Sequence, residues 1–61
     1  MYGDTMEIEL LFWYVKGYMG KLPDTDTYRE LRYVVSDTVR GGKERGWSKR
    51  YMEGEILRRM R

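Results

Sequence analysis

The chain has no cysteine and no histidine, and only one proline among its 61 residues. Without cysteine there is no disulfide. Without either residue the usual tetrahedral zinc site has no ligands, so both common staples of a small scaffold are missing. The same absences remove the most frequent nucleophile and base pairs of covalent catalysis, and no serine stands in a nucleophile motif. Carboxylates, lysines and tyrosines remain, but they are not grouped for chemistry. Glu7 and Glu9, two residues apart, point to different sides of a helix and cannot share a proton. A non-catalytic protein with no cofactor and no metal is therefore expected.

Long apolar runs are also lacking. The longest uncharged stretch, Leu10 to Val15, is far too short for a membrane span. The acidic start lacks the basic region of a signal peptide. The expectation is a cytoplasmic protein with no membrane partner.

What the chain does have is apolar and aromatic bulk: six Tyr, two Trp, one Phe and five Met, against 36% charged residues. That supply argues for folding rather than disorder. At this length the sequence accommodates one domain, residues 1–61, which buries only about 60% of its unfolded surface. Such a core is marginal alone, and association is a natural supplement.

Helical periodicity divides the chain into three segments, near residues 4–20, 27–41 and 48–60, giving an all-α domain built around the first. Asp4 suits the first N-cap, with Glu7 as its capping-box partner; Gly20 suits the left-handed closing position and Pro23 blocks continuation. Thr27 is the expected second N-cap with Glu30 three residues on, leading a stripe of Tyr28, Leu31, Val35 and Val39 flanked by Val34 and Thr38. The paired glycines Gly41 and Gly42 suggest an end to this helix and a flexible basic loop, since each costs about 1 kcal/mol within a helix. Ser48 caps the last helix, whose stripe is Met52, Ile56 and Met60 with Leu57 alongside. Trp47 and Met52 have the spacing of a hydrophobic staple. The competing architecture is α+β, with a strand at residues 6–15, where Glu7-Ile8-Glu9-Leu10 alternates and aromatic and branched residues follow.

The first helix carries two apolar stripes. Ile8, Leu11, Val15, Met19 and Leu22 form one; Leu10, Trp13, Tyr14 and Tyr18 form the other. Helices 2 and 3 offer only narrow stripes in return. The second stripe is therefore expected to stay exposed and to form a protein interface, either in a homodimer or in a small inhibitor or adaptor of a larger complex, of the size that mobile elements encode.

Charge is distributed unevenly. Residues 1–39 hold four basic and seven acidic side chains; residues 40–61 hold eight and three, making the last third electropositive. Arg40, Lys43, Arg45, Lys49, Arg50, Arg58 and Arg59, with Trp47 and Tyr51 among them, are the alternative candidate site, for nucleic acid. Glu53 and Glu55 dilute that face by pairing with Lys49, Arg58 and Arg59. Other motifs fail. Gly41-Gly42-Lys43 lacks the first glycine and the Ser/Thr of a phosphate loop, and Asp24-Thr25-Asp26 lacks the rest of a calcium loop.

Overall fold

A computed structural model of the chain describes residues 5–60. α1 spans Thr5–Phe12 and continues as a π-helical stretch, Trp13–Met19; α2 spans Thr25–Arg45 and α3 spans Lys49–Met60. This is the all-α three-helix domain that the periodicity implies. Among the described residues there is no strand, and residues 6–15 are helical throughout, so the α+β alternative falls. A helix satisfies its backbone groups within itself, whereas a lone strand there would have no partner strand to pair with.

The helix boundaries follow from caps. Asp4, the expected first N-cap and partner of Glu7, lies outside the described residues. Gly20 takes the left-handed conformation at φ 74°, and its N–H donates to the Val15 carbonyl at 2.9 Å. That five-residue span is the π-helical pattern, a rare geometry that often accompanies functional positions. The second cap is Asp24, not Thr27. Asp24 is extended (φ −74°, ψ 175°) and its Oδ1 accepts from the Thr27 N–H at 2.8 Å. Aspartate outranks threonine at this position, and starting at Thr25 leaves Thr27 to donate from the third helical residue.

The far end of α2 also differs from expectation. The helix runs through Gly41 and Gly42 to Arg45, so the basic segment is ordered helix and not a loop. Two interactions offset the glycine cost. First, the end is closed by a Schellman motif: Gly46 is left-handed (φ 75°), its N–H reaches the Lys43 carbonyl at 3.4 Å, and the Trp47 N–H reaches the Gly42 carbonyl at 2.8 Å. Second, Gly42 is buried under α3. A Cβ there would stand 2.7 Å from Met52 Cε, 3.0 Å from Trp47 Cε3 and 3.2 Å from Met52 Cγ. The missing side chain is what lets Trp47 and Met52 close onto the α2 backbone. Ser48 then caps α3 as expected, its Oγ accepting from the Tyr51 N–H at 3.1 Å.

The core is centred on α2. Leu31, Val34, Val35, Thr38 and Val39 are buried there, with Leu10 and Tyr14 from the first helix on one side and Met52 and Ile56 from α3 on the other. Both outer helices pack on α2, so the second helix, not the first, is the organising element. Tyr28, expected in the buried stripe, is exposed. Thr38 Oγ1 is buried with no hydrogen-bond partner among the described residues.

Gly42 and Gly54 provide paired tests. Gly54 has ordinary helical φ and nothing within 4 Å of an added Cβ. In urea unfolding, Gly54→Ala should raise stability by about 1 kcal/mol through helix propensity, while Gly42→Ala should lower it by about 1–3 kcal/mol through overpacking. A stabilising Gly42→Ala would contradict the close approach.

Acid melting tests the α2 cap. The Thr27 backbone and side-chain hydrogen bonds, with a smaller contribution from Lys21, hold the Asp24 carboxyl below the usual carboxylate range. Its stabilisation is thus fully present above a pH of about 3.9 and is lost as pH falls through the lower folded value. Asp24→Asn keeps a good cap that does not titrate. Circular-dichroism melts across this acid range should show the substituted protein losing less Tm than the native one.

Candidate interaction surfaces

Each stripe of the first helix is partly buried and partly exposed. Leu10 and Tyr14 face α2 and are buried, Trp13 is half-buried, and of the predicted interface only Tyr18 is exposed, stacked on Tyr14 at 5.0 Å between ring centroids. Of the other stripe, Leu11, Val15 and Met19 are half-buried against the core, while Ile8 is 62% exposed and Leu22 85%; Phe12, in neither stripe, is 61% exposed. A helix apolar nearly all round gives its periodicity little power to choose a face. The choice falls to packing, and α2 accepts Leu10 and Tyr14. With those two side chains in the core, Tyr18 and part of Trp13 are what the predicted interface presents at the surface.

An apolar groove takes its place. The Gly20 turn sends the chain back beside α1, so that Leu22, Pro23 and Tyr28 face Ile8, Phe12 and Val15 across it. Leu11 and Lys16 complete the wall, and Lys16 Nζ sits 5.1 Å from the Phe12 ring centroid. A shallower extension joins Val15 and Lys16 to Gly20, Lys21 and Leu22. No acidic side chain lines either part. Covering an aliphatic or aromatic side chain is worth about 1.5–3 kcal/mol each, so the three exposed groups Ile8, Phe12 and Leu22 around one groove are a large uncovered apolar area for this chain.

Ion pairs engage three of the seven cations of the predicted basic site. Lys49 Nζ donates to Glu9 Oε1 at 3.0 Å, Arg58 Nη2 to Glu55 Oε1 at 2.7 Å, and Arg59 Nη1 to Asp37 Oδ2 at 2.8 Å. Arg59 also lies 3.8 Å from Glu55. The Arg58 hydrogen bond, with the charges of Arg58 and Arg59, holds the Glu55 carboxyl below its ordinary range. Glu55 thus pairs with Arg58 and Arg59 as the spacing implies, while Lys49 reaches across to α1 instead of pairing within α3. Arg45 Nη1 donates to the Gly41 carbonyl at 3.1 Å and its guanidinium covers the Trp47 ring at 5.4 Å. Lys43 is exposed on the last turns of α2. Arg40 and Arg50 are exposed and form no ion pair with any described residue. The recess between α2 and α3 gathers Arg40, Arg45 and Arg59 but also Asp37 and Glu44, so its charge is mixed.

A second cationic feature lies where the net charge of the sequence is negative. Arg29, Arg32 and Tyr33 line an open recess with Thr25, Tyr28 and Ser36 on α2 and Glu7 on α1. The signal was present in the spacing: once Leu31, Val34, Val35 and Thr38 are assigned to the core, residues 29, 32, 33 and 36 are left on one outer face.

Among the described residues no group of three or more His, Cys, Asp or Glu is arranged to hold a metal ion, and no helix is long and apolar enough to cross a membrane. Fold and surface together define a small three-helix domain with an uncovered apolar groove. Comparison of the chain with protein-family models, with curated proteins and with solved structures finds no match.

Burial pushes the Tyr14 phenol above its ordinary pKa, and the adjacent Tyr18 phenol adds to the shift. In an alkaline absorbance titration, one tyrosine should therefore ionise later than the others, and Tyr14→Phe should remove that late step. An unchanged titration curve in the Tyr14→Phe protein would contradict the buried placement.

Proposed function

We propose that this chain is a non-catalytic protein-docking module, an inhibitor or adaptor that works by capturing a segment of a larger protein in the groove between α1 and the Leu22-Pro23 turn. The observation that carries the reading is the groove itself. Ile8, Phe12 and Leu22 remain exposed around it although the core lies within one helix width. Isolated exposed apolar residues are ordinary, but a contiguous patch marks an interaction surface.

The rim indicates the chemistry of the occupant. Lys16 and Lys21 are the charged groups bordering the groove and its extension, with no carboxylate among the lining residues. The fitting partner is an amphipathic segment with apolar anchors at helical spacing and acidic residues beside them. Phe12, with the Lys16 ammonium over its ring, is the best placed anchor contact.

Selection from a displayed library of random peptides tests this directly. Selected peptides should combine apolar anchors with flanking Asp or Glu. Phe12→Ala and Leu22→Ala should each weaken binding about tenfold or more with an unchanged circular-dichroism spectrum. Lys16→Glu should shift selection away from acidic flanks. Failure to select binders, selected peptides without acidic flanks, or affinity indifferent to Phe12→Ala would each overturn the reading. So would light scattering that finds a dimer dispersed by Ile8→Asp, because a second copy would then cover the groove.

A further inference from the structure

The outer face of α2 presents cations that the fold leaves uncompensated. Arg29, Arg32, Tyr33, Ser36 and Arg40 fall at helical spacings of three, four, seven and eleven from the first, with Asp26, Asp37 and Glu44 along one border. At 1.5 Å per residue, Arg29 and Arg40 stand about 16 Å apart along the axis. Asp26, three residues before Arg29, and Asp37 and Glu44, at three and four from Arg40, are spaced for intrahelical pairs. Those pairs do not form: Arg29, Arg32 and Arg40 have no ion pair with any described residue, and Asp37 is engaged by Arg59. On α3, in contrast, Lys49, Arg58 and Arg59 are each held by a carboxylate.

Tyr33 stands within this stripe, 73% exposed, and with Arg29 and Arg32 it borders the open recess that continues to Tyr28. One carboxylate, the half-buried Glu7, faces the two guanidiniums from α1 and leaves the recess net positive. Guanidinium groups recognise phosphate through a planar fork of donors, and a solvent-facing phenol ring offers a stacking platform that every base can use.

We infer that the Arg29, Arg32, Tyr33 and Arg40 face of α2 is a binding site for single-stranded nucleic acid, separate from the apolar groove. Arginines follow the phosphates and Tyr33 stacks a base. The exposed ring in a recess selects the single strand, because bases in a duplex already stack on one another and do not need it. Tyr28 borders both surfaces and is left unaltered in the test.

The test is fluorescence anisotropy with labelled oligouridylate and oligothymidylate of about twelve nucleotides and a matched duplex, between about 50 and 200 mM salt. Binding should fall steeply with salt. Arg29→Ala with Arg32→Ala should reduce the slope by about one phosphate contact per arginine removed. Tyr33→Ala should weaken single-strand binding about tenfold, with Tyr33→Phe close to native. Lys49→Ala with Arg58→Ala should leave affinity unchanged, and so should Phe12→Ala, which separates this site from the groove. The inference is overturned by absence of salt-dependent binding, by loss that follows Lys49 and Arg58 instead of Arg29 and Arg32, or by equal affinity for duplex with indifference to Tyr33→Ala. Heparin bound as tightly as the oligonucleotides would overturn it too, since the face would then be reading charge alone.

Discussion

The approach of α3 to the α2 backbone at Gly42 is the contact on which the rest of the structure depends. It requires a position with no side chain, and it places Met52 and Trp47 directly against the helix. Gly42 and Trp47 also take part in the closing turn, because the Trp47 N–H that ends α2 bonds to the Gly42 carbonyl. Termination of one helix and docking of the next are therefore one local event. Glycine is a poor helix former because it exposes backbone and loses entropy, and here the exposed backbone is covered by the residues that follow it. With α3 set, Ile56 joins Leu31, Val35 and Val39 in a core that α2 shares on its other flank with Leu10 and Tyr14.

That arrangement leaves the first helix with two apolar faces, of which α2 covers one. It commits Leu10 and Tyr14 to α2, and among the described residues nothing buries Ile8 and Phe12. A contiguous exposed apolar face of this kind is what interaction surfaces are made of. The π-helical stretch and the left-handed Gly20 bring Leu22 and Pro23 back beside this face, turning an exposed stripe into a walled groove. The buried Thr38 hydroxyl has no hydrogen-bond partner among the described residues, a cost this core carries.

Charge acts mainly in alignment. The pairs Lys49 to Glu9 and Arg59 to Asp37 each tie α3 to a different helix. Half-exposed pairs of this kind contribute little energy and weaken with salt. With the Arg58 to Glu55 pair, they engage three of the seven cations that composition offers as a nucleic-acid site. Arg29 and Arg32, within the part of the chain whose net charge is negative, have no ion pair with any described residue, and neither do Arg40 and Arg50.

Much of the fold was legible in local chemistry. Three helical periods, the left-handed Gly20, the Ser48 cap, and the buried Met52 and Ile56 follow from spacing and turn residues that act within a few positions of themselves. The Glu55 pairs with Arg58 and Arg59 follow for the same reason. The misread features involve distant partners. The passage of α2 through two glycines depends on Met52, ten residues away from Gly42. The side of the first helix that is buried depends on what α2 can receive. The pairing of Lys49 and Arg59 depends on carboxylates of other helices, Glu9 and Asp37. Sequence by itself determined that this chain is helical, that it lacks the ligands for zinc or disulfide staples, and that it carries more apolar surface than a small core can hide. Only tertiary packing decided which surface that is, because a helix apolar on two faces has no local reason to prefer one, and the choice is made by the shape of its neighbour.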